Sequence, residues 1–72
     1  MKELSETGQA LMDMLIEIDN DQDFVLGVMC NAGNDTAWQK IIDFINYAKS
    51  VGDEISTEQL IRISLYLGSQ AS

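Results

Sequence analysis

Histidine and proline are absent from this 72-residue chain, cysteine and tryptophan occur once each, and only four lysines and arginines stand against twelve aspartates and glutamates. Without histidine, the side chain that most often moves protons or binds metals near neutral pH is missing. The single cysteine, Cys30, excludes an internal disulfide. With no base near it in sequence, it reads as a small reduced core residue and not as an activated thiol. No proline, low-complexity run or internal repeat marks a linker, so one helical domain over residues 1–72 is expected. The longest apolar stretch, Phe24–Cys30, is far shorter than the roughly 20 residues of a spanning helix. The opening Met1-Lys2-Glu3-Leu4-Ser5-Glu6 lacks the basic-then-apolar order of a signal peptide. A soluble cytoplasmic protein with no membrane partner is the expectation.

What is present is apolar surface at helical spacing. Hydrophobic residues make up 46% of the chain and charged residues 22%, a folding composition despite a net charge of −8. A chain this short gains only a few kcal/mol of net stability from one core, so every apolar face matters. The pattern predicts an all-α fold, a small bundle of three to four short helices at about 3–19, 22–32, 35–50 and 57–67. Leu4, Leu11, Met14, Leu15 and Ile18 share one side of the first helix, opposite Glu6, Asp13 and Glu17. Asn20 to Asp23 supply capping oxygens for the second, which Gly33 would end. The run Phe24-Val25-Leu26-Gly27-Val28 also suits a strand, because periodicity alone does not type so short a segment.

For the third helix, Asn34, Asp35 or Thr36 is the expected cap, Thr36 and Gln39 fit a capping box, and Gly52 is the stop. Its apolar side chains cover roughly 220° at 100° per residue, more than one neighbour can bury. Ser56 and Gln59 form a second capping box, Ile55 and Leu60 are spaced as a staple, and Gly68 is the expected end of the fourth helix. That helix carries Leu60, Ile61, Ile63, Leu65, Tyr66 and Leu67 around a narrow polar strip at Arg62, so it is either enclosed or half of an intermolecular seam.

Three motifs resemble parts of known families. Asp19, Asp21 and Asp23 have the alternating spacing that opens an EF-hand loop, which would imply calcium binding. Phe24 stands where that loop needs glycine and Cys30 where it needs a bidentate glutamate, so a solvated capping turn is preferred. Residues 52–60 resemble the second half of such a loop, but Gln59 falls at the glutamate position. Asp35-Thr36-Ala37-Trp38 resembles the helix start at which acyl carrier proteins bear phosphopantetheine. Threonine replaces the attachment serine and no leucine follows, which removes the carrier signature. Residues 55–68 are similar to a late helix of phage-repressor-type helix-turn-helix domains, but a −8 chain is repelled by phosphate. Asn34-Asp35-Thr36 matches a glycosylation sequon, but capping explains it fully. Direct nucleic-acid binding is disfavoured, and no cofactor, metal ligand set or catalytic residue is assigned.

The expected function is protein–protein interaction without catalysis, with self-association through helices three and four. Trp38, Ile42, Ile61, Leu65 and Tyr66 are the candidate apolar interface. The alternative is an acidic regulator that occupies the basic surface of a nucleic-acid-binding protein through Asp13, Glu17, Asp19, Asp21 and Asp23. Charge supports that option: residues 1–39 carry −7 (eight acids, one lysine) and residues 40–72 carry −1 (four acids, three bases). A divalent-cation-binding or carrier-like domain is disfavoured.

Overall fold

The computed structural model describes residues 4–70 and contains α1 (Glu6–Ile18), α2 (Gln22–Ala32), α3 (Asp35–Ser50) and α4 (Thr57–Gln70), with no strand among the described residues. The predicted all-α bundle is therefore the fold, and Phe24-Val25-Leu26-Gly27-Val28 is helical. Each start has a local chemical cause. Ser5 Oγ accepts from the Gly8 N–H at 3.1 Å, so α1 begins at Glu6 and not near residue 3, which itself lies outside the described residues. Asp21 Oδ1 accepts from Asp23 N–H to open α2, and Asn34 Oδ1 accepts from Ala37 N–H to open α3. With Asn34 as the cap, the expected Thr36–Gln39 box does not form, and Gln39 donates instead to Asp43. The Ser56–Gln59 box does form, with reciprocal bonds of 3.1 Å.

The ends are equally specific. Gly33 takes φ +73° after α2. After α3, Gly52 at φ +76° donates to Lys49 O while Asp53 donates to Ala48 O, the paired bonds of a Schellman motif. Gly68 does not terminate α4, which continues to Gln70. It is placed for packing: a Cβ there would overlap the carbonyl oxygen of Asn31 on α2. Ser64, one turn earlier, is fully buried and satisfies its hydroxyl on Ile61 O at 2.6 Å. Two small residues on one face of α4 thus let its backbone approach α2 closely.

The tightest pairings are α2 with α4 and α1 with α3. The N-terminal ends of α1 and α3 are tied where Ser5 Oγ–H donates to Asp35 Oδ1 at 2.6 Å. Inside lie Leu11 and Leu15 of α1, Phe24, Val25, Val28, Met29 and Ala32 of α2, Ala37, Ile41, Ile42 and Ile45 of α3, and Leu60 of α4. Burying each large aliphatic side chain contributes about 1.5–3 kcal/mol. Cys30 is not among them. It is exposed on the outer side of α2, contrary to the sequence expectation, because the inward face is already taken by Val25, Val28, Met29 and Ala32.

Candidate functional site

The five sequence-selected apolar residues divide in the structure. Ile42 is only 9% exposed and belongs to the core. Trp38 is half-buried and engaged within the chain: its Nε1–H donates to Met29 O at 3.0 Å, and its ring lies against Gly8. Ile61 is half-buried against the core. Leu65 and Tyr66 are exposed, at 54% and 64%. They sit 100° apart on the wheel, and Leu65 faces away from the side of α4 that carries Ile63 and Leu67.

A different surface is continuous. α4 runs back along α3, and the seam between them opens into two depressions. At one end Asn34, Thr36, Ala37 and Lys40 face Leu67 and Gln70 around about 250 Å³. At the other, Phe44, Tyr47 and Ala48 face Gln59, with Asp53, Glu54 and Ile55 closing about 310 Å³. On α3, Thr36, Lys40, Phe44, Tyr47 and Val51 are spaced by three and four residues, one helical stripe. On α4, Gln59, Ile63, Leu67 and Gln70 follow the same rule. Tyr47, in the lining, is 65% exposed, and Phe44 and Leu67 are half-buried lining residues; Val51 and Tyr66 are exposed and lie beside the two stripes by helical spacing. The arrangement follows from the small inward face of α4: its close approach is to α2, which leaves its α3 side less filled. The spacing of these two stripes was the available signal in the sequence. It was masked by an α3 apolar arc too wide to name one face.

The five selected carboxylates are all exposed. Asp13 and Glu17 share the outer face of α1, Asp19 follows it, and Asp21 and Asp23 occupy the start of α2. Asp13 accepts from Gln9 Nε2, and Asp21 from a backbone amide. Among the described residues the one ion pair is Arg62 with Glu58, one turn apart on α4, so none of the five has a basic partner there. Nor do three acid or cysteine side chains converge into a cation-binding group among the described residues. No described helix is long and apolar enough to cross a membrane. Comparison with protein-family models, curated proteins and solved structures gives no match to this chain.

Proposed function

We propose that this chain is a protein-interaction module that docks through the α3–α4 seam and self-associates there, without catalytic activity of its own. The observation that carries the reading is the partly filled stripe from Lys40 through Phe44 and Tyr47, opposite Leu67 and Gln59, with Tyr47 exposed in it and Tyr66 exposed one turn before Gln70 on α4. A short chain has little apolar surface to spare, and leaving Tyr47 exposed and Phe44 half-covered along one groove is useful when a partner covers them. Sedimentation equilibrium over a wide concentration range tests this. The wild type is expected to associate, and Tyr47→Ser combined with Tyr66→Ser to weaken association without loss of helicity. A wild-type chain that stays monomeric throughout would refute it.

A second reading rests on the carboxylates of the α1–α2 corner, which have no basic partner among the described residues. Asp13, Glu17, Asp19, Asp21 and Asp23 would attract a basic protein surface over a Debye length of roughly 8–10 Å at ordinary salt. A pull-down from nuclease-treated lysate at low and moderate salt, with all five changed to amides as the control, separates this from self-association. A captured basic protein lost in the amide variant favours it, and recovery indifferent to salt and to the amides excludes it.

A further inference from the structure

The charges along the α3–α4 seam distinguish its possible occupants. Lys40 lies at one end, beside uncharged Asn34, Thr36 and Gln70, and Asp53 and Glu54 lie at the other. On α3, Phe44 and Tyr47 fall between, and exposed Asp43, one turn before Tyr47, adds an acid that accepts from Gln39 Nε2. Such a surface is complementary to its own reversed copy, the condition for a closed two-fold interface. We infer that the occupant is a second copy of this chain, related by a two-fold axis crossing the middle of the seam, so that Lys40 of each protomer meets the partner's Asp53 and Glu54. The inference rests on the reading of the seam as a self-associating face and adds the orientation of the two copies.

The distribution of charge also favours a second copy. Two chains of −8 repel, and they do so least where the acids are fewest. Residues 1–39 carry −7 and residues 40–72 carry −1, and Lys40, Lys49 and Arg62 all lie on α3 and α4. A basic foreign protein would be drawn to the α1–α2 corner and not to a seam with a lysine at one end.

The test is a charge swap read by sedimentation equilibrium, with far-UV circular dichroism confirming the fold. Lys40, Asp53 and Glu54 are all exposed, and Asp53 contributes only its backbone N–H to the α3 cap, so the fold should persist. K40E alone and D53K/E54K alone are each expected to weaken self-association by about tenfold or more, and an equimolar mixture to recover association through the matched pair. D53K/E54K changes two acids to two bases and moves the net charge from −8 to −4, so general repulsion alone would tighten its dimer. The control D13K/E17K makes the same change of charge on α1 and should not weaken association. A D53K/E54K dimer as tight as the wild type, or a mixture that recovers nothing, overturns the inferred orientation while the docking face stands. A monomeric wild type overturns both.

Discussion

The indole of Trp38 lies against the bare backbone of Gly8, so closely that a Cβ at Gly8 would stand 2.8 Å from Cζ3 and 3.1 Å from Cε3. The ring has little freedom to retreat, because its Nε1–H is bonded to Met29 O. This one side chain joins α1, α2 and α3. It is therefore a fastener of the fold, although its size and position in the sequence suit an interface equally well.

Gly8→Ala sets two effects against each other. Alanine gains about 1 kcal/mol of helix propensity over glycine, whereas forcing a methyl into a filled site costs about 1–3 kcal/mol. Contact with an anchored ring makes the second larger, and a net loss of about 1 kcal/mol is expected, or roughly 4–8 °C in Tm for a domain of this size. In a Trp38→Phe background, whose ring lacks Cζ3, the same change should cost less. Urea titrations of the four proteins by circular dichroism give the coupling directly.

The glycines of α2 and α4 should respond with opposite signs. At Gly27 an added Cβ meets nothing within 4 Å, so Gly27→Ala should stabilise by about 0.5–1 kcal/mol. At Gly68 the obstacle is the Asn31 carbonyl, a backbone atom that cannot move without displacing α2. Gly68→Ala should destabilise by about 2–3 kcal/mol, near the upper end of overpacking. Thermal melts of the two variants beside the wild type check both signs.

Four helices were legible in the sequence because capping and periodicity agreed at Asp21, Asn34, Ser56, Gly33 and Gly52. Gly68 misled because a glycine after an apolar turn marks a helix end in isolation. The buried Ser64 one turn before it was the clue to close packing. Propensity is local, whereas the contact with Asn31 spans two helices. Cys30 misled for a related reason: cysteine is commonly buried, and α2 is apolar nearly all round. Its exposure followed from Asp23, seven positions earlier on the same face. None of the five sequence-selected interface residues lines the two depressions, and Lys40, Phe44, Tyr47, Asp53 and Glu54 required the placement of α4 against α3.

Exposure of Cys30 sets an expectation for its reactivity. A thiol on the outer face of α2 needs no opening of the fold to meet a reagent. Native protein should be labelled completely by a disulfide reagent, at a rate within a few-fold of that in urea. Cys30→Ser should alter stability by no more than about 0.5 kcal/mol, as for surface changes elsewhere. Labelling that requires denaturant would place the residue inside.

Salt should stabilise the isolated fold. Twelve acids and four bases leave −8 on a body with extents of 36 × 25 × 20 Å. At about 0.01 M ionic strength the Debye length is about 30 Å, so charges across most of the molecule repel one another. Near 0.15 M it falls to about 8 Å, and only close neighbours interact. Screening also weakens Arg62–Glu58, but that pair is exposed and worth about 0.3–0.5 kcal/mol at most. Relief of repulsion among the surplus carboxylates, at the α1–α2 corner above all, should exceed that loss, because unfolding is the way the low-salt chain separates them. Tm is therefore expected to rise between these two salt concentrations in sodium chloride, at a protein concentration low enough to keep the chain monomeric. A fall in Tm would mean that specific attractions outweigh the net charge.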